Sequence, residues 1–314
     1  MFILQFFENN WIVMQGAVSL GIIFSLMAMG VFLAFRILEM PDLSVEGSII
    51  LGAGMSARLI SGGMNPFLAT LLSVLVGSAA GFCTGFLHTK LKIPSILAGI
   101  LTMVAAYSVV FRIMGANNVP LLPHGPQRVT SVFTFLQDWG LSRPNAIILL
   151  SVVVVVVVSA LLYCFMGTEF GSAIRATGNN RQMVKAQGIN TDIMIIACLM
   201  LSNGMVALAG SLWAQQQGFA SVDMGIGTIV IGLASVIIAE VIFRPRRFWT
   251  SLIAIVIGSI IYRLIIALAL SVDFMRSTDL RLVTAVIVAF ALCLPLLRDN
   301  IAKLRKFIRN RGNT

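Results

Sequence analysis

Residues 151–210 read SVVVVVVVSALLYCFMGTEFGSAIRATGNNRQMVKAQGINTDIMIIACLMLSNGMVALAG. Two apolar runs, 151–165 and 193–210, flank a polar stretch that holds Arg175, Arg181 and Lys185. A helix needs about 20 mostly apolar residues to cross a bilayer. The pattern therefore predicts two membrane-spanning helices joined by a polar segment that lies outside the hydrocarbon.

The composition of the whole chain agrees with this interpretation. Of its 314 residues 58% are hydrophobic and 11% are charged, whereas a soluble domain has roughly a quarter charged residues. We predict an all-α polytopic membrane protein in which residues 1–314 form a single transmembrane domain. About nine spans are expected, at residues 12–35, 44–62, 66–88, 94–114, 146–166, 191–213, 226–243, 248–270 and 280–297.

The second of these spans is the least regular. It follows MPDLSVEG and carries Arg58 near its far end. We expect it to be broken or partly re-entrant, which is tolerated at membrane depth where protein or a water-filled cavity covers the backbone. In the third span Gly77, Gly81 and Gly85 lie four residues apart. This spacing predicts a close helix contact, within the chain rather than across a dimer seam.

The basic residues predict the orientation of the chain. If nine spans alternate, most of the 22 Lys and Arg residues fall on one side, which is then the cytoplasmic side. The N-terminus is expected outside and the C-terminus inside. The net charge of +10 thus needs no nucleic acid partner, although anionic membrane lipid fits it. The residues on this side are Arg36, Lys90, Lys92, Arg175, Arg181, Lys185, Arg244, Arg246, Arg247 and six in the tail 298–314.

No motif nominates catalysis in this chain. It lacks the G-x-x-x-x-G-K-[ST] phosphate loop, H-E-x-x-H and G-x-S-x-G, so no catalytic residue, metal site or bound cofactor is predicted. An ion-coupled carrier would need buried charges, for which Glu240 and Arg263 are the candidates. A membrane enzyme or an assembly scaffold is a further alternative.

The polar stretch resembles a segment of a known family. FGSAIRATGNNRQMVKAQGIN is similar to the cytoplasmic coupling segment of ABC importer permeases of the branched-chain amino acid, ribose and nucleoside class. Three further stretches resemble that family in the same order: DLSVEGSIILGAGMSA, LKIPSILAGILTMVAAYSVVFR and STDLRLVTAVIVAFAL. One stretch departs from it, because GLASVIIAEVIF has Ala239 and Glu240 where many members carry a Gly-Gly pair.

The resemblance implies a multi-pass protein of the bacterial inner membrane. It implies two permease copies, here expected to be a homodimer, ABC ATPase subunits that hold ATP and magnesium, and an extracytoplasmic substrate-binding protein. The coupling segment, about 167–190, would contact the ATPase. The residues expected to do so or to shape its turns are Arg175, Ala176, Gly178, Asn180, Arg181, Lys185 and Gly188. The alternative for this segment is a solvated basic loop.

The substrate is less well indicated. The sequence motifs most resemble those of amino acid importers. The expected cargo is an aromatic amino acid, and nucleosides or sugars are the alternative. The outer loop, about 115–145, is expected to be irregular with a short interfacial helix. A substrate path is predicted near the polar stretch SLWAQQQGFASVDMGIG, unless that stretch only anchors an outer loop. The candidate residues are Asn203, Trp213, Gln215, Gln216, Gln217 and Asp223.

Overall fold

The computed structural model describes residues 11–121 and 131–270, with positions 286 and 289 in addition. The long helices are α1 (Trp11–Phe32), extended by a π-helical segment (Leu33–Ile37), α2 (Val45–Ser61), α3 (Pro66–Thr89), α4 (Ser95–Met114), α6 (Arg143–Gly167), α9 (Thr191–Gln217), α10 (Thr228–Phe243) and α11 (Phe248–Leu270). The short elements are β1 (Asn118–Pro120), α5 (Thr134–Gln137), α7 (Glu169–Asn179), α8 (Arg181–Ala186), β2 (Phe219–Ser221) and a 3-10 turn (Val222–Gly225).

In the described ranges, seven helical stretches are long and apolar enough to cross a membrane. They match seven of the nine predicted spans. Of the other two predicted spans, the one at 44–62 forms α2, which has only 17 residues. The one at 280–297 lies outside the described residues, apart from positions 286 and 289. The prediction of an all-α polytopic membrane protein is therefore confirmed as a helical membrane architecture, while the count of nine and the orientation stay predictions.

Helices α1 and α9 form the centre of the fold. In the most apolar part of the span Val13–Ile37, 83% of the residues are buried, and the value for Thr191–Gln217 is 67%. For Arg143–Gly167 it is 28%, so only one face of α6 packs on the described part of the chain. The core thus requires apolar side chains around the whole circumference of α1, as its sequence provides.

The three glycines of α3 form the predicted close contact. A side chain at Gly77 or Gly81 would overlap with Ala207 or with the Leu199 carbonyl of α9, and a Cβ at Gly85 would lie 2.9 Å from the Cα of Ile196. The prediction of a tight contact within the chain is confirmed. Small residues allow two backbones to approach in this way where the hydrophobic effect does not drive helices together.

Helix α2 begins opposite the middle of α9. Asp42, just before α2, accepts a hydrogen bond from the side-chain amide of Asn203 (2.8 Å) and others from the backbone N–H and hydroxyl of Ser44 (2.8 and 2.6 Å). Asn203 also accepts from the Ser48 hydroxyl (2.6 Å). These buried bonds satisfy polar groups where no water is available. Helix α2 is uninterrupted from Val45 to Ser61, so the expectation of a broken second span is wrong, and a re-entrant path stays a prediction.

The two ends of the bundle carry different connections. At one end β1 and β2 form a two-stranded antiparallel ribbon that pairs Val119 with Ala220, and sequence patterns did not predict it. The short interfacial helix expected in the loop 115–145 is present as α5, and Phe135 in it packs on Trp139 (5.5 Å between ring centroids). At the other end lie α7 and α8, which contain the predicted coupling segment.

Candidate functional site

The polar segment between α6 and α9 is a pair of capped helices. The Thr168 hydroxyl accepts a hydrogen bond from the backbone N–H of Gly171 (3.2 Å) and begins α7. Asn180 ends α7, and its side chain accepts from the N–H of Met183 (3.0 Å), which begins α8. Asn190 caps α9 in the same manner, through the N–H of Asp192 (3.0 Å). Because each helix has its own N-cap, the segment is ordered structure rather than a solvated loop.

One face of α7 and α8 is fixed to the bundle. Ile174, Thr177 and Val184 are fully buried. Gly178 lies inside α7 and not at a turn, which corrects the expectation from the sequence. A side chain there would overlap with the carbonyl of Ile37, at the end of the π-helical segment. Gly188 does form a turn, with φ +81, a conformation that glycine adopts without strain.

The other face of α7 and α8 carries most of the predicted contact residues. Asn180 and Lys185 are exposed, Arg175 and Ala176 are half-buried, and Met183 beside them is 47% exposed. No carboxylate of the described ranges forms an ion pair with Arg175 or Lys185. The surface is therefore basic, with the apolar side chain of Met183 in it. We name the surface formed by Arg175, Asn180, Met183 and Lys185 the coupling face.

Arg181 differs from its neighbours because it has a partner within the chain. Its guanidinium lies 3.4 Å from Nε2 of His88, at the end of α3. The Nδ1 atom of His88 lies 2.9 Å from the carbonyl of Ile93, which can only accept. Nδ1 therefore carries the proton and Nε2 accepts from Arg181. This contact could not be predicted from the sequence, since the two residues are 93 positions apart.

A second ionic contact lies beside the coupling segment. Arg36, in the π-helical segment, donates from Nε to Oε1 of Glu240 (2.7 Å) and from Nη2 to Oε2 (2.6 Å). This bidentate pair joins the end of α1 to α10. The sequence nominated Glu240 as a buried charge of an ion-coupled carrier, and the structure pairs it with Arg36.

The six residues predicted for a substrate path include two that are buried, two that are exposed and two that are partly buried. Asn203 and Gln215 are buried, and Gln215 accepts from the N–H of Val132 (2.8 Å) while it donates to the hydroxyl of Thr70 (2.8 Å). Gln217 and Asp223 are exposed at the end that carries the ribbon. The structure thus does not bring the six candidates together, and the buried ones link helices.

Gln216 and Trp213 keep polar atoms without partners. Gln216 donates to the hydroxyl of Ser19 (2.7 Å), but its Oε1 and the indole N–H of Trp213 are buried without a hydrogen bond in the described part of the chain. Trp213 packs edge-on against Phe24, with 4.9 Å between the ring centroids. The guanidinium of Arg263 lies 3.8 Å from the centroid of the Phe24 ring. This cation–π contact accounts for a charge within the apolar part of α11.

Sequence reasoning missed one polar cluster near Asp223. Glu46, in the first turn of α2, accepts from the N–H of Gly227 (2.9 Å) and so caps the N-terminus of α10. A Cβ at Gly225 would lie 2.6 Å from the carbonyl oxygen of Glu46 and 3.2 Å from the hydroxyl of Tyr107, so both residues adjoin the 3-10 turn that carries Asp223. The signal was a single acidic residue at the start of an apolar helix, and its partner lies 181 positions away.

Comparison with known proteins assigns the chain. Residues 13–293 match the family described as branched-chain amino acid transport system / permease component. The match covers most of the chain, including the coupling segment. The chain belongs to this permease family. The resemblance seen in its motifs is thereby confirmed.

Individual relatives carry narrower names. The permease is 41% identical, over 278 residues, to a tyrosine transport system permease protein of Clostridioides difficile, which covers 88% of this chain and 90% of the relative. It is 32% identical over 215 residues to an uncharacterized protein of Rickettsia prowazekii (68% and 72%). An autoinducer 2 import system permease protein of Yersinia enterocolitica is 28% identical over 198 residues (63% and 51%). No solved structure matches the permease significantly.

Proposed function

We propose that the permease is the membrane subunit of an ATP-driven importer and that its substrate is an amino acid, with tyrosine or another aromatic amino acid as the first choice. The observation that carries this proposal is the 41% identity to a tyrosine transport permease across 88% of the chain. In this proposal a homodimer of the permease lies in the bacterial inner membrane. Separate ATPase subunits bind below it, and a substrate-binding protein delivers the cargo from outside.

The geometry of the coupling segment supports the ATP-driven part of the proposal. Two capped helices present the coupling face away from the bundle, and their buried face rests on the π-helical segment and on α9. A partner that moves α7 would therefore move the end of α1 with it. No phosphate loop is present in the sequence, so the nucleotide would be bound by the partner.

Uptake of labelled tyrosine tests the substrate. Cells that express the permease with its ATPase and binding protein should take up tyrosine, and excess phenylalanine should compete more strongly than leucine, uridine or ribose. Competition by uridine or ribose without competition by tyrosine would favour the nucleoside or sugar alternative. Uptake by the purified permease alone, driven by an ion gradient in liposomes, would overturn the importer.

Affinity purification from gently solubilised membranes tests the coupling face. The wild-type permease should co-purify with an ABC ATPase, identified by mass spectrometry. The variant Arg175→Ala/Lys185→Ala should lose most of it, whereas Arg58→Ala/Arg112→Ala should not, because both arginines are exposed at the opposite end of the bundle. If the first variant keeps the ATPase in full, the coupling face is assigned wrongly.

A further inference from the structure

In the part of the chain that the structure describes, an apolar groove runs between α6 and α11. Its volume is about 290 Å³, and Ile22 of α1 contributes to its floor. All of its side chains are apolar except Ser159. The residues along it are Val152, Val155, Val156 and Ser159 of α6 and Trp249, Leu252, Ile253, Val256, Ile257 and Ile260 of α11.

The length of the groove corresponds to one leaflet. It extends along α11 from Trp249 to Ile260, which at 1.5 Å per residue is about 16 Å. Half of a hydrocarbon core of about 30 Å is about 15 Å. One acyl chain that lies along α11 would therefore fill the groove from the interface to the middle of the bilayer.

Aromatic side chains mark one end of the groove as an interface. Trp249 and Tyr163 are both exposed and pack edge to face, with 5.4 Å between their ring centroids. Such rings gather at the level of the lipid headgroups. This end lies on the same side of the bundle as the coupling segment, because α6 ends and α11 begins there.

Three arginines adjoin the same end. Arg244, Arg246 and Arg247 are exposed and lie two to five positions before Trp249. In the described residues none of them has a carboxylate partner, since the two ion pairs there involve Arg36 and Lys90. The groove thus has an apolar body and a positively charged end, which is complementary to an anionic phospholipid.

We propose that this groove is a binding site for an anionic phospholipid of the adjacent leaflet, with one acyl chain between α6 and α11 and the phosphate beside Arg246 and Arg247. A zwitterionic lipid would fill the groove equally well but would gain less from the arginines. The proposal does not depend on which solute the permease transports.

Native mass spectrometry of the full-length permease in mixed detergent and lipid tests the site. With equal amounts of phosphatidylglycerol and phosphatidylcholine, the wild type should retain phosphatidylglycerol with about tenfold preference. The variant Arg246→Gln/Arg247→Gln should lose that preference. The control Lys90→Gln/Lys92→Gln removes two exposed positive charges elsewhere on the same side and should keep it.

A second variant separates a site from a mere charge effect. Val156→Phe/Ile257→Phe fills the groove from both helices without altering any charge, and it should reduce retained phosphatidylglycerol to the level of phosphatidylcholine. Full retention by this variant would show that the arginines attract lipid without the groove, and equal retention of both lipids by the wild type would also overturn the proposal. If the variant instead dissociates a dimer with lipid retention unchanged, a second copy covers the groove.

Discussion

At the scale of single residues, two kinds of position control this permease: glycines at backbone contacts and buried polar groups. Gly178 belongs to the first kind, because its hydrogen occupies the space between α7 and the carbonyl of Ile37. Asp42 and Asn203 belong to the second, because they bond to each other where water is excluded.

We predict that Gly178→Ala displaces α7 and reduces substrate uptake at least about tenfold, since a 1 Å misplacement can cost roughly 100-fold in a positioned site. Gly167→Ala is the matched control, because a Cβ at Gly167 meets nothing within 4 Å. Uptake should be measured in cells with equal amounts of each variant in the membrane. Equal uptake by the two variants would show that the contact is not needed.

Replacing Asp42 should destabilise the fold itself. In Asp42→Ala the amide of Asn203 and the hydroxyl of Ser44 lose their shared acceptor, and each such loss costs roughly 1–3 kcal/mol. The midpoint of thermal unfolding in detergent should therefore fall clearly below that of the wild type. Asp223→Ala, at an exposed carboxylate, should leave the midpoint unchanged, and a comparable fall there would contradict the argument.

At the scale of elements, the ion pair between Arg36 and Glu240 connects three parts of the permease. Arg36 lies one residue before Ile37, which touches the coupling segment, and Glu240 lies in α10. The Arg36 side chain is 59% exposed, so the pair contributes only about 0–1 kcal/mol to stability. The ion pair matters because it holds Arg36, next to the residue that contacts α7, against Glu240 of α10, and not because it adds stability.

A charge reversal tests this link. Arg36→Glu and Glu240→Arg alone should each reduce uptake several-fold with little change in the unfolding midpoint, because like charges would separate the two elements. The double variant Arg36→Glu/Glu240→Arg should restore much of the uptake. If the double variant is no better than the single variants, the two residues do not act as a pair.

The sequence predicted the elements better than their contacts. Long apolar runs identified seven helices, whereas the caps at Asn180 and Asn190 were seen only in the structure. The pairs that define the candidate site could not be predicted, because Arg181 and His88, Asp42 and Asn203, and Glu46 and Gly227 are 93, 161 and 181 positions apart. Only the folded backbone brings such groups together.

At the scale of the whole molecule, the exposed apolar faces of α3, α4 and α6 are available to lipid or to a second copy. We predict a homodimer. Two differently tagged copies expressed together should purify on either tag, and light scattering should give the mass of two chains in the detergent micelle. Complete separation of the tags would contradict the homodimer and would point to a different permease subunit as the partner.

The glycine contact between α3 and α9 also limits how the permease can move. Because the backbones touch at Gly77, Gly81 and Gly85, α3 and α9 cannot slide past each other without overlapping. We therefore expect the two helices to move as one rigid unit. Since α8 leads into the start of α9 through four residues, 187–190, a force applied at the coupling face would tilt α3 and α9 together. The halves of α3 and α9 that are distant from the coupling face would then move at the ribbon end of the bundle. A small displacement at the coupling face would produce a larger displacement there.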